Sequence, residues 1–297
     1  QFTILRDTLV VVSVVPGGPS EKVGLHAGDR IVAVDGENIA GKKLSTTDVR
    51  KRLKGEQGTQ VNVKVQRNDE LIDFHIIRDK VPIYSIDASY MLNPTTGYIK
   101  ISRFAATTIE EFEVALKKLL AMGMKDLILD LQGNGGGYMG AAIGISDHLL
   151  NAGKMIVYTE GRSSGRREEY STSAGLFQDG RVVILIDGNS ASASEIVSGA
   201  IQDWDRGLIV GQRSFGKGLV QRPFPLTDGS MIRLTTAHYY TPSGRCIQKP
   251  YTKGEDDYRA ELYNRYFNGE LLNADSIAVN DSLKYYTKIK HLSLIHI

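Results

Sequence analysis

Two textures of apolar and polar positions divide the chain. Over residues 1 to about 80, apolar residues fall in short alternating runs, "LVVVSVV", "DRIVAVDG" and "QVNVKVQR", split by turns rich in glycine and proline. Period-two alternation between such turns predicts half-buried strands. One stretch departs from it: "LSTTDVRKRLKG" places Leu44, Val49 and Leu53 at helical spacing, with Gly55 as a stop. The first 80 residues therefore read as a compact β-rich module.

From about residue 97 the pattern becomes strand, helix, strand. "GYIKISRF" predicts a strand. "TTIEEFEVALKKLLAMG" puts Ile109, Phe112, Leu116 and Leu119 on one helical face, with Thr108 and Glu111 spaced as a capping box. "DLILDL" reads as a buried strand that turns through "QGNGGG" into the helix "YMGAAIGISDHLLNAG". Strands "KMIVYT" and "RVVILID" follow, and the second runs into "GNSASASEIVSGAIQDW", a turn and a helix. "GLIVGQ" and "MIRLTTAHYY" add further strands. Such alternation predicts an α/β domain with helices packed on a sheet. Residues 253 to 290 are polar and tyrosine-rich, helical in places such as "DDYRAELYNRYF", and find no firm place in the pattern.

Composition narrows the class. At 297 residues, with 41% hydrophobic and 24% charged residues, the chain reads as an ordinary soluble globular protein with a substantial core. A net charge of +2 leaves no footprint of nucleic-acid binding or of a polybasic membrane anchor. The single cysteine, Cys246, excludes an internal disulfide framework. No apolar run approaches the length of a membrane span. The strand-like opening "QFTILRDTLVVVSVV" predicts a start inside a domain, with any export signal outside the chain.

Candidate chemistry sits in three glycine- and serine-rich turns. Gly211 to Lys217 matches G-x-x-x-x-G-K, the start of a phosphate-binding loop. That device needs Ser or Thr after the lysine and a helix beyond it. Gly218 and the strand-like "LVQRPFPL" supply neither, so a nucleotide role is excluded. In "DGNSASASEI" a serine stands where a strand gives way to a helix, beside unpaired helix N-terminal amides able to hold an oxyanion. A serine-rich N-cap is the plainer reading of that turn alone. In "LDLQGNGGGYMG", Gly135, Gly136 and Gly137 can present amides to a carbonyl, or can simply make a tight turn.

Together the three favour nucleophilic catalysis. A serine needs a base, and none of the six histidines sits in a loop that suggests one. Ser-Lys pairs are a known variant of triad chemistry. A lysine base must titrate at roughly 7 to 8 rather than about 10.4, which burial achieves. Lys217 has apolar neighbours in Phe215, Leu219 and Val220, and no carboxylate within nine residues in sequence.

At these residues the chain resembles the carboxyl-terminal processing proteases, tail-specific serine peptidases of the S41 type. The stretches that carry the likeness are "GYIKISRF", "LDLQGNGGG", "GNSASASEIVSGAIQDWDRGLIVGQRSFGKGLVQ" and "LTDGSMIRLTTAHYYTPSGRCIQ". The resemblance implies an α/β, crotonase/ClpP-like core over residues 81–252. It further implies Ser192 as nucleophile, Lys217 as general base and Gln221 as the residue orienting that lysine. The oxyanion hole would combine the amide of Ala193 with that of Gly136 or Gly137. Neither metal nor cofactor is implied.

Residues 1–80 resemble a PDZ domain through "PGGPSEKVGLHAGDRIVAVDGENI". Such modules bind a peptide C-terminus as an added strand. Here Phe2, Thr3 and Ile4 would form the receptor strand and Val49 the helical wall, with the carboxylate-binding loop falling before Gln1. Three departures stand out: Gln132 where arginine is common, no glycine-rich stretch after "QKPY", and a tail, "KIKHLSLIHI", unlike the family and expected to be truncated or artefactual. The resemblance implies protein or peptide substrates with accessible C-termini, a periplasmic or envelope location, and a homo-oligomer or adaptor protein as partners, but no nucleic acid. The rival expectations are an inactive PDZ-bearing peptide-binding protein on the same scaffold and a crotonase-like acyl-transfer enzyme. The second would need a basic cluster for a CoA-type ligand, which the glycine loop lacks.

Overall fold

The computed structural model describes residues 1–81, 83–251, 254–270, 272–273, 276 and 284–294. The end of the tail (295–297) and much of the polar stretch 271–283 lie outside the described residues. The chain divides into two compact units, Gln1–Ile83 and Tyr84–Ile297.

The first unit is built from β1 (Phe2–Leu5), β2 (Thr8–Val11), α1 (Pro19–Lys22), β3 (Arg30–Val34), β4 (Glu37–Asn38), α2 (Thr46–Leu53), β5 (Gln60–Arg67) and β6 (Glu70–Ile77). The strands form one antiparallel sheet in the order β1-β2-β3-β5-β6, with β4 beside β3. The alternation legible in "QVNVKVQR" is the alternation observed: Val61, Val63 and Val65 point into a core shared with Leu9, Ile31, Val34 and Val49. Helix α2 starts where Ser45 and Asp48 exchange reciprocal backbone-to-side-chain hydrogen bonds, each 3.2 Å. Buried Asp29 accepts both arms of the Arg67 guanidinium, at 2.7 and 2.8 Å, and that pairing holds its carboxyl below the usual range.

The second unit contains β7 (Ile86–Met91), β8 (Thr96–Ile101), α3 (Thr108–Ala121), β9 (Asp126–Asp130), α4 (Met139–Leu149), β10 (Met155–Gly161), β11 (Gly165–Tyr170), β12 (Arg181–Ile186), α5 (Ala193–Asp203), β13 (Gly207–Gly211), β14 (Leu219–Pro225), β15 (Met231–Tyr240) and α6 (Glu255–Phe267). One sheet runs β13-β12-β9-β8-β7, parallel except for β7, and a second, antiparallel, runs β11-β10-β15-β14. Helix α5 is buried on nearly every side, as its apolar and small residues require. The core gathers Ile99, Ile101, Phe112, Leu116, Leu127, Leu129, Ile145, Ile184 and Val197.

Two strands of this unit escaped the apolar pattern. Strand β11, "GRREEY", is exposed along its length, and β7 alternates too weakly to be distinguished from loop. Strand β14 holds Pro223 and Pro225, which argue against a central strand, and it is an edge strand. Leu226 N–H donates to Ser230 O at 2.8 Å, so antiparallel alternation places both prolines where an N–H would face the open edge. The capping box expected at α3 does not form. Glu111 Oε1 accepts instead from the hydroxyl of Thr107 (2.6 Å), and its Oε2 from Ser85 N–H (2.7 Å), Ser85 Oγ (2.9 Å) and Ile86 N–H (3.1 Å), tying α3 to the start of β7. The tail is ordered over 284–294. Lys288 N–H donates to Asp203 O, and Ile289 and Lys290 N–H donate to Asp205, capping the C-terminal end of α5.

His148 on α4 is buried, its Nε2 3.4 Å from Glu113 Oε1 and its Nδ1 without a partner among the described residues. Burial lowers its pKa from the usual 6.5, and Glu113 offsets only part of that. The folded state therefore binds fewer protons than the unfolded one. Stability is full above about pH 6.5 and declines as the pH falls toward the folded value. Replacing His148 with glutamine is expected to flatten that slope, read as urea midpoints compared at about pH 7 and 5.5. An unchanged slope would assign the acid sensitivity elsewhere.

Candidate active site

Three adjacent parallel strands end side by side. Asp130 at the end of β9 pairs with Leu185, and Gly211 at the end of β13 pairs with Ile186, the last residue of β12. Their exits are the glycine turn, the serine turn and the loop of Lys217. Loops at the carboxyl ends of parallel strands are the usual place for a site, because several chain segments converge there.

The serine turn separates its three serines by what they bond. Ser190 Oγ donates to Leu131 O at 2.8 Å, and Ser194 Oγ donates to Asn134 O at 2.9 Å; both residues are fully buried. They stitch the turn to the glycine loop, and the N-cap position itself falls to Ser192. Ser192 is different. It is half-buried, its Oγ is spent on no carbonyl and faces the Glu195 N–H as half of a capping box, and its backbone stands at φ 56, ψ −109. A non-glycine residue held there costs about 1–3 kcal/mol, which the surrounding bonds must offset. The next N–H, that of Ala193, opens α5 and has no acceptor among the described residues.

The glycine loop lies against this turn. A Cβ on Gly136 would sit 2.8 Å from Ser192 Cβ and 3.0 Å from Ala193 N, so only glycine fits. Gly137, at φ 152, would place a Cβ 2.0 Å from Phe104 O. The two amides differ: Gly136 N–H donates to Asn134 Oδ1 at 2.9 Å, whereas Gly137 N–H has no acceptor among the described residues. Asn134, buried and unremarkable in the sequence, organises the loop. Its Nδ2 donates to Ile101 O, and its carbonyl accepts from Ala191 N–H and Ser194 Oγ.

The residue that joins the parts is Glu195. Its Oε2 accepts from Ser192 N–H at 2.6 Å and from Lys217 N–H at 2.9 Å. Its Oε1 accepts from Gly216 N–H at 2.6 Å and Ser214 Oγ at 2.7 Å. One carboxylate oxygen thus bridges the backbones of Ser192 and Lys217, which are 25 residues apart in sequence. Burial pushes the Glu195 carboxyl up, against the pull of these four donors. Glu195 was legible as the fourth residue of S-A-S-E, a capping-box spacing.

The side chain of Lys217 does not meet the expectation of burial. It is exposed, and no described residue bonds its Nζ. Glu195, 22 residues away along the chain, brings a carboxylate to the Lys217 backbone that no window around the lysine contains. Gln221 lies on β14, exposed, opposite Thr235, where the register with β15 slips past Thr236. Among the described residues it makes no hydrogen bond to Lys217. In the first unit, Phe2 and Ile4 are half-buried on β1, and Thr3 faces out. Val49 is 2% exposed, a core residue and not a surface for a peptide. One turn on, Leu53 is half-buried and packs against the same core.

Residues 95–257 match the model of peptidase family S41, more than half of the chain. The chain belongs to peptidase family S41. Its first unit matches the PDZ domain over residues 10–67. Among S41 relatives, the "Carboxy-terminal-processing protease" of Bartonella bacilliformis is 36% identical over 255 residues, 84% of this chain and 58% of that protein. The "Carboxy-terminal processing protease CtpB" of Bacillus subtilis is 34% identical, over 81% of this chain and 50% of that one. The chain spans a little over half the length of the curated relatives it matches. Of solved structures, "Photosystem II D1 C-terminal processing protease" aligns over 84% of this chain and 68% of its own, with 33% identity and a TM-score of 0.51. The S41 match takes in all three exit loops and stops within the first turn of α6.

Proposed function

We propose that the chain is the catalytic part of a serine endopeptidase working through a Ser192–Lys217 dyad. The observation that carries this reading is the shared Glu195 oxygen, which keeps the backbones of Ser192 and Lys217 within two hydrogen bonds of each other. Neutral Lys217 takes the Ser192 proton as Oγ attacks the scissile carbonyl. The oxyanion is held by Ala193 N–H and by Gly137 N–H; Gly136 is set aside because its amide is already engaged by Asn134. Lys217 returns the proton to the departing amine, and water then hydrolyses the acyl-enzyme.

Exposed Lys217 fits this scheme if the substrate chain covers it. Covering removes water from the ammonium and favours the neutral form. Gln221, on the strand that follows, is the proposed hydrogen-bond partner of Lys217 in that covered state. Substrates are polypeptides with flexible, partly apolar C-terminal tails, and the PDZ unit tethers them or regulates cleavage, with Phe2, Thr3 and Ile4 as the receiving edge. An envelope location fits such substrates.

A serine-directed fluorophosphonate tests the nucleophile. The expected result is a single adduct, mapped by mass spectrometry to the peptide containing Ser192 and absent after Ser192→Ala. A folded protein with no adduct would favour the inactive, peptide-binding alternative.

A further inference from the structure

The loop 212–218 that carries Lys217 has no regular structure of its own. Its inner side is fixed by Glu195 and by Phe215 N–H donating to Ser190 O at 3.0 Å. Its outer side is gripped by charged residues of α6 and the turn after it, almost all beyond the S41 match. Glu270 accepts from Arg213 through both oxygens, from Nε and Nη2 at 3.0 Å each, and from Arg265 Nε at 2.8 Å. Arg265 Nη2 donates to the Arg213 carbonyl at 3.1 Å. Glu261 Oε1 also accepts from Arg213 Nη2 at 3.1 Å, so three residues hold one loop residue by its side chain and its backbone, four positions before Lys217. Nearer the lysine, Lys249 N–H donates to Gly216 O at 2.9 Å. The Lys249 ammonium lies 4.6 Å from the Phe215 ring centroid, itself paired to Glu261 at 3.0 Å.

Among its described side chains, α6 sets Tyr258 edge-on against the Phe215 ring at 6.3 Å and otherwise grips the loop through charged groups. Tyr263, Tyr266 and Phe267 are exposed, and of its described side chains Arg265 is the one fully buried. Burying ions is expensive, and replacing a buried ion pair with apolar residues is often neutral or stabilising. Such pairs are better suited to fixing one arrangement than to adding stability. The arrangement fixed here is the path of the loop that delivers Lys217.

We propose that Arg265 and Glu270 are positioning residues for the dyad, clamping Arg213 so that Lys217 arrives beside Ser192. This inference rests on the Ser-Lys reading. A loop displaced by about 1 Å costs on the order of 10²-fold in rate.

The test measures hydrolysis of an activated ester, which keeps residual rates visible, by the intact protein and five variants. Glu270→Gln keeps the shape of the side chain and removes its charge. It is expected to lower kcat about 10- to 100-fold, with KM within about twofold, while circular dichroism stays unchanged. Arg265→Met should behave alike, and the double variant should be no worse than either, as for members of one network. The decisive comparison is made in Lys217→Ala, where Glu270→Gln should bring no further loss. An unchanged kcat in Glu270→Gln would overturn the clamp. So would an equal further loss in the Lys217→Ala background, which would mark general loosening. A fully active Lys217→Ala would instead overturn the Ser-Lys reading itself, and the clamp with it.

Discussion

Ser192→Ala and Lys217→Ala are each expected to abolish cleavage of an unstructured polypeptide with an apolar tail, lowering kcat on the order of 10⁴- to 10⁶-fold. The magnitude follows from how a nucleophile and its base act. They share one step, so removing either removes the attack, and the double variant should be no slower than either single one. What remains is the contribution of the oxyanion donors Ala193 and Gly137, roughly 10³-fold over water. Neither substitution should disturb the fold, because Lys217 Nζ bonds nothing among the described residues and Ser192 Oγ faces only the Glu195 N–H at the helix start. Tail binding should survive, since it is assigned to the first unit. Cleavage by both variants at the wild-type rate would remove the dyad. Loss in Ser192→Ala alone would keep the nucleophile and send the search for a base elsewhere.

Ser192 was singled out in the sequence as the middle of three serines by family likeness, and the structure supplies a physical criterion. Ser190 and Ser194 spend their hydroxyls on carbonyls of the neighbouring loop, and the residue between them spends its own on no carbonyl and is strained. Strand and helix periods were legible wherever one face is buried, as in β5 and α3. They failed at β11, where solvent covers both sides and no period is imposed. Lys217 was misjudged because sequence neighbours were taken as spatial neighbours. Phe215 and Leu219 flank it along the chain, yet its side chain leaves the surface, and the carboxylate nearest its backbone comes from α5. Asn134 and Glu195 were missed for a related reason. The capping-box spacing of Glu195 to Ser192 is local, but its bonds to residues 214 to 217, like those of Asn134, reach segments about 20 to 60 residues away, which no local pattern encodes.

Glu195 makes the second large effect calculable from its four donors. Glu195→Ala leaves three backbone N–H groups and the Ser214 hydroxyl facing a cavity. Each N–H left unsatisfied costs about 1–3 kcal/mol, and relaxation or entering water recovers part of it. A net loss of about 3–5 kcal/mol is expected, which lowers the melting temperature of a unit this size by roughly 10 °C. Glu195→Gln discriminates further. Its oxygen can take the place of Oε2 and keep both Ser192 and Lys217 N–H satisfied. Its amide then faces Ser214, whose hydroxyl can rotate to accept, and Gly216, whose N–H cannot. One orphaned donor remains, costing about 1–3 kcal/mol, and the bridge between the dyad backbones survives. Activity should therefore fall in the order wild type, glutamine, alanine, with the alanine variant at least about 10²-fold down even below its own melting transition. Equal activity in the two variants at matched folded fractions would mean that Glu195 stabilises the unit without holding Lys217 to Ser192.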